Sequence, residues 1–186
     1  MHPKFKAMLR RCQEKKHLIE FDRRPKIQER IAGFILDFTD SLILLHLLEW
    51  NTFTLNGFVV IRVQDINRQR IFNKRNYWQN KAAEVKRLKP IHPSISISSL
   101  EEAIVSASKA FELITIEKEL VADGKMWIGK LAEITKKTLV IHGLNPNAEW
   151  VKKSKFNLSE ITCIGFGGGY ETALALSLKT LRNNLQ

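Results

Sequence analysis

The apolar positions of this chain change period several times, and each change marks an element. In PKFKAMLRRCQEKK (3–16), Phe5, Met8, Leu9 and Cys12 recur at helical spacing among basic residues. This predicts a short amphipathic helix after Pro3 whose apolar stripe docks on the body. HLIEF (17–21) reads as a strand, and the charged DRRPKIQER (22–30) as a loop. IAGFILDFT (31–39) and LILLHLLEW (42–50) are apolar runs parted by Asp40-Ser41, a tight turn. Asn51 to Gly57, with the Asn56-Gly57 pair, signals a hairpin before the strand FVVIR (58–62), and Asp65-Ile66 opens a last short strand. NYWQNKAAEVKRLK (76–89) returns to helical composition and stops at Pro90.

Pro90, Pro93 and the serine-rich SISISS (94–99) make a linker. Ser99 followed by Glu102 is a capping box that starts a helix over about 99–110. ELITIE (112–117), MWIGKLAEIT (126–135), TLVIHGL (138–144), EWVKKSKFNL (149–158) and EITCIGF (160–166) read as strands. Between them lie the loop ELVADG (119–124) and the turns Lys136-Lys137 and NPN (145–147), and a helix rich in Ala and Leu closes the chain from Glu171 to Asn183.

The two halves superpose as sequences. IAGFILDFTDSLILLH (31–46) matches WIGKLAEITKKTLVIH (127–142), pairing Gly33 with Gly129 and His46 with His142 at an offset of 96. After one gap, Asp65-Ile66 pairs with Glu160-Ile161 at an offset of 95. So constant an offset across strand, turn, strand and hairpin predicts an internal duplication. Five short strands per copy, with a glycine embedded where a sheet bends, predict a small closed or nearly closed barrel.

The first half resembles a known family at this point. Gly33, Ile35, Phe38, Asp40, Ile43, Leu44 and Leu45 form the pattern G-x-I-x-x-F-x-D-x-x-I-L-L, which is similar to the first motif of Sm-like (LSm, Hfq-type) SH3-like barrels. The second half keeps Gly129, Leu131, Ile134, Leu139, Val140 and Ile141, with Lys136 where Asp40 stands. The resemblance implies two tandem Sm-like/SH3-like small β-barrels, as in tandem Sm-like proteins of bacteria, and RNA as a partner class. Where the family carries its second, RNA-contacting motif, this chain has FVVIRVQDI and KFNLSEI. The expected organisation is an N-terminal basic helix (1–16), a first barrel plus helix (17–89), a linker (90–98) and a second barrel with flanking helices (99–186).

Charge changes this picture more than composition does. A chain of 186 residues that is 44% hydrophobic buries enough surface to exclude wholesale disorder. No apolar run approaches the roughly 18–20 residues that cross a bilayer, and the start has no apolar h-region of a secretory signal. Two cysteines, Cys12 and Cys163, are too few for a disulfide framework and fit a reducing cytoplasm. The formal net charge is +11, and residues 1–97 hold nineteen Lys and Arg against nine Asp and Glu. Ten of the eleven arginines lie there. The planar guanidinium suits phosphate, so the first half is expected to present a basic face to RNA or DNA.

The densest candidate is RVQDINRQRIFNKR (62–75) with the two aromatics after it. Arg62, Arg68, Arg70, Lys74 and Arg75 are placed to touch phosphates, Asn67, Gln69 and Asn73 to add hydrogen bonds, and Tyr77 and Trp78 to stack on unpaired bases. The competing reading gives Tyr77 and Trp78 to helix docking and the charges to solvent.

Other motifs favour structural roles. Histidines 2, 17, 46, 92 and 142 show no metal-ligand spacing with each other or with the cysteines, so no metal or cofactor is expected. GFGGGY (165–170) reads as a strand-to-helix turn without the Walker lysine. No nucleophile–base arrangement or carboxylate pair is spaced for catalysis, so no enzyme is expected. Two functions remain open at this level. One is a non-catalytic nucleic-acid-binding protein; the other is a protein-interaction or regulatory module, built as a pseudo-dimer, whose basic face meets an acidic partner.

Overall fold

A computed structural model of the chain describes residues 1–72, 77–122 and 124–183, and the side chains of all of these except 80 and 181–183. The fold is mainly β with four helices among the described residues. The chain forms two compact units, Met1–Pro93 and Ser94–Gln186.

The first unit begins with α1 (Pro3–Glu14), which buries Leu9 and Cys12 and packs on the second strand. Its Gln13 side chain donates to the Leu36 carbonyl at 2.5 Å. Five strands follow: β1 (Leu18–Asp22), β2 (Arg30–Phe38), β3 (Leu42–Glu49), β4 (Thr54–Arg62) and β5 (Arg68–Ile71), then α2 (Trp78–Val85). All pairings within the unit are antiparallel, in the order β5-β1-β2-β3-β4. By register, Ile19, Phe21, Ile31, Ile35, Leu45 and Val59 share one face, and all are buried. On the opposite face Leu18, Ala32, Phe34, Leu48, Phe53 and Phe72 form a second cluster, covered by Tyr77, Ala82, Ala83 and Leu88. This explains why β2 and β3 read as near-continuous apolar runs: both faces are covered.

Two local features bend the sheet. Leu36 is an extra residue in β2, since Ile35 faces Leu45 while Asp37 faces Leu44. One turn of pleat away, a Cβ on Gly33 would fall inside the van der Waals shell of the His46 carbonyl oxygen, so only glycine lets the two backbones approach. The expected hairpin over Asn51–Gly57 turns at the start of that stretch and not at the Asn56-Gly57 pair. The turn is at Trp50–Phe53, with Phe53 in the left-handed region (φ 51°). Asn56 and Gly57 instead lie inside β4, where two residues oppose the single Leu47; Gly57 takes φ 71° and forms a β-bulge. The Asn-Gly pair thus serves the bulge rather than the turn. Asp65 also falls outside a strand, in the 3₁₀ turn Val63–Asp65.

The second unit opens with α3 (Leu100–Ala110), capped by the Ser99 hydroxyl, which accepts from the Glu102 amide at 3.1 Å. Then come β6 (Ile114–Glu117), β7 (Met126–Ile134), β8 (Thr138–Leu144), β9 (Trp150–Asn157), β10 (Cys163–Phe166) and α4 (Gly169–Asn183). Their order is β10-β6-β7-β8-β9, again antiparallel. Ala132 is the extra residue in β7, a Cβ on Gly129 would strike the His142 carbonyl oxygen, and a 3₁₀ turn covers Leu158–Glu160. Leu174, Ala175 and Leu178 of α4 pack with Leu113, Ile128 and Leu144.

The closed barrels expected from the sequence are not formed. Within the first unit, β5 has only four residues and pairs with β1, while β4 pairs with β3, and among the described residues no ladder joins β4 to β5. The 3₁₀ turn at Val63–Asp65 lies between β4, at one end of this strand order, and β5, at the other. The second unit repeats this, with β10 on β6 and β9 on β8.

His46, in β3, ties the end of the first unit down. The Ile91 amide donates to its Nδ1 at 3.2 Å, and the ring stacks on Phe58 at 4.6 Å. Burial pushes the imidazole below its ordinary value. The bond requires the neutral ring, so His46 favours folding fully above about pH 6.5 and loses that contribution as pH falls, because the unfolded chain then binds the proton more readily. Urea midpoints at pH 7.5 and 5.0 should fall on acidification, and the fall should shrink in His46→Gln; an equal fall in both proteins would refute the role. Gly33→Ala should lower stability by about 3 kcal/mol in the same assay. An unchanged midpoint would show that the backbones can part.

Candidate nucleic-acid interface

The edge strand β5 positions two of the arginines singled out from the sequence. Its register sets Arg70 opposite Glu20 and Arg68 opposite Asp22, and β1 in turn sets Asp22 opposite Arg30. Because strand residues two apart share a face, Arg68, Arg70 and Phe72 line one side together with Leu18, Glu20 and Asp22. Arg24 joins this patch, 2.6 Å from Asp22, and Arg30 lies 3.5 Å from Asp22 and 3.8 Å from Glu20. The hydrogen bond from the Arg24 side chain, helped by its backbone amide and charge, holds the Asp22 carboxyl well below the usual carboxylate range. Four guanidiniums therefore meet two carboxylates, and the patch keeps a positive surplus.

Arg70 is oriented by aromatic rings. Its guanidinium lies over Phe72 at 5.0 Å and Tyr77 at 5.3 Å, where the ring quadrupoles attract it. Tyr77 is half-buried against Phe72, ring centroids 5.8 Å apart. Trp78 is 60% exposed and stands on Phe53 and Trp50, at 5.5 and 6.4 Å. A large indole left open to solvent on a rigid aromatic base is a platform on which a planar ring can stack.

Arg62 is placed differently. Its Nε and Nη2 donate to the two carboxylate oxygens of Asp65 at 2.6 and 3.0 Å, and Asp65 is 3% exposed. This bidentate pair closes the 3₁₀ turn, so Arg62 serves the fold. Asn67 is engaged as well: its side chain donates to the Arg24 carbonyl at 2.8 Å. Lys74 and Arg75 lie outside the described residues. Arg68, Arg70, Tyr77 and Trp78 thus come together, and Arg62 does not join them as a phosphate ligand.

The remaining motifs have structural explanations. In GFGGGY, Gly165 belongs to β10, Gly167 takes φ 68° against the Phe111 ring, and Gly169 starts α4. The first turn of that helix holds Glu171, which accepts from the Thr115 hydroxyl at 2.7 Å, so a carboxylate already meets the helix dipole. His142, at the position matching His46, packs on Trp150 at 4.6 Å.

One basic feature of the first unit was not apparent from the sequence. A groove of about 790 Å³ runs between the end of α1 and the end of α2, with Lys15, Lys16, Lys81, Arg87 and Lys89 on its walls. The signal that could have found it is the pair of basic runs, KKH (15–17) and KRLK (86–89), each at the end of a helix. No helix among the described residues is long and apolar enough to cross a membrane. Searches of protein-family models, curated proteins and solved structures find no match for this chain.

Proposed function

We propose that the chain is a non-catalytic nucleic-acid-binding protein whose first unit takes single-stranded RNA or DNA across β5 and the start of α2. The observation that carries this reading is the adjacency of Arg70, seated on Phe72 and Tyr77, to the aromatic cluster from which Trp78 projects. Arg68 and Arg70 would neutralise phosphates, while Trp78 would stack on an unpaired base. A duplex hides the faces of its bases, so stacking favours single strands.

The same proposal takes the chain as an internally duplicated, tandem Sm-like protein with open, bent sheets. Its support is the repetition of particular features at an offset of 95 or 96. These are the glycine against a histidine carbonyl, the extra residue three positions later in the same strand, and the 3₁₀ turn before the last strand. Cytoplasmic residence belongs to this reading, because Cys12 and Cys163, both buried, are too few for a disulfide framework.

A second reading rests on β9. This strand ends the order of its sheet and carries exposed Lys152, Lys153 and Lys155, which suit an acidic protein segment added along the edge.

The test is fluorescence anisotropy of labelled single-stranded RNA, single-stranded DNA and duplex DNA over a salt series. Micromolar or tighter binding to single strands is expected. Arg68→Ala with Arg70→Ala should flatten the logarithmic salt slope by about 0.7 for each phosphate no longer neutralised. Trp78→Ala should weaken single-strand binding by about 1–3 kcal/mol. Arg62→Ala serves as the contrast: it strands the buried Asp65 carboxylate and should cost about 3 kcal/mol of stability while leaving the slope intact. Failure to bind any of the three at low salt would overturn the proposal and favour an acidic protein partner.

A further inference from the structure

The groove between α1 and α2 has its own chemistry. Its floor is Leu18, Phe34 and Phe72, with Ala83 and Leu88 beside them. Among the described residues, the side chains of its lining able to hydrogen-bond are the five cations, His17 and Glu84. None of Arg68, Arg70, Tyr77 or Trp78 lines it. An apolar bed walled by cations is complementary to a molecule with an apolar body and an anionic end.

The backbone shows how the cations are brought together. Both helices end in the same motif. The His17 amide donates to Cys12 O and the Lys16 amide to Gln13 O, while the Leu88 amide donates to Ala83 O and the Arg87 amide to Glu84 O. Lys16 and Arg87 occupy the left-handed position of each motif, at φ 49° and 50°. Glycine usually fills that position, and a side chain there costs about 1–2 kcal/mol. Each helix end therefore holds a cation on the groove wall where glycine would be easier to accommodate.

The net field decides the sign of the ligand. Each helix C-terminus contributes about half a negative charge, and Glu84 one more, against five positive side chains, which leaves a surplus of about three. No carboxylate among the described residues lies within 4.0 Å of any of the five cations. His17 is already biased toward the neutral ring, by burial first and then by Lys15 and Arg11.

We propose that this groove binds a single amphiphilic anion, an acyl or alkyl chain ending in a phosphate or carboxylate, with the chain between Ala83, Leu88 and Pro90 above the nearly covered Phe34 and Phe72, and the head among Lys16, Lys81 and Arg87. The site shares with the nucleic-acid reading only Phe72, which there supports Arg70 from beneath; the charged residues of the two sites differ.

Isothermal titration of the full chain with dodecyl phosphate, kept below micelle formation, tests it. Dodecyl phosphate should bind about 100-fold more tightly than inorganic phosphate, which lacks the chain. Dodecanol, which lacks the charge, should bind at least about tenfold more weakly. Lys81→Glu with Arg87→Glu should weaken binding about tenfold, and Ala83→Trp, which fills the groove without touching its charge, should do the same. The His17 imidazole NMR signal should shift on binding, and Arg68→Ala with Arg70→Ala should leave the affinity unchanged. Equal binding of dodecanol, indifference to both groove variants, or binding only to phosphatidylglycerol vesicles would overturn the proposal. So would occupation of the groove by an oligonucleotide and not by dodecyl phosphate.

Discussion

The contact on which the rest of the first unit depends is the approach of Gly33 to the carbonyl of His46 across β2 and β3. A side chain at position 33 would hold the strands apart, and the extra residue Leu36 just beyond it completes the bend. A bent sheet can enclose Ile31, Ile35 and Leu45 on one side while still offering Phe34 and Leu48 to α2 on the other. The bend also leaves β1 able to receive β5, so that an arginine-rich strand ends up at the sheet's edge. Gly129 and His142 impose the same constraint on the second unit.

From that geometry the electrostatics follow. Strand alternation turns Arg68 and Arg70 to the same side as Glu20 and Asp22, and the carboxylates are tied mainly by Arg24 and Arg30. Tethering acids to other arginines leaves the edge arginines accessible. The aromatic rings then fix Arg70 without neutralising it, as a carboxylate would. Arg62 shows the contrary case: three residues from Asp65 in a tight turn, it is consumed by a buried pair. Charge density along a sequence therefore overstates the charge a surface presents.

How much of this was legible depended on the range of the interaction. The strand runs at 31–39, 42–50, 126–135 and 138–144 and the capped helix at 99–110 rest on local periodicity and turn chemistry, and the fold places elements there. Asn56-Gly57 misled because left-handed glycine serves a bulge as well as a turn, and only the pairing with Leu47 distinguishes them. Barrel closure misled because it depends on whether β4 meets β5, and the apolar pattern of a strand does not say which neighbour it takes. At the site, Arg68, Arg70, Tyr77 and Trp78 were legible because they are close in sequence. The groove was not, because its walls come from residues some seventy positions apart, joined only when two helix ends meet.

The central claim is that nucleic acid is held by β5 and the start of α2 in the first unit. Amide hydrogen exchange of the full chain with and without a saturating single-stranded oligonucleotide tests it most directly. The account predicts slowed exchange in residues 68–72 and 77–79 and unchanged exchange in β6–β9. Slowing confined to the second unit, or no change anywhere, would contradict it.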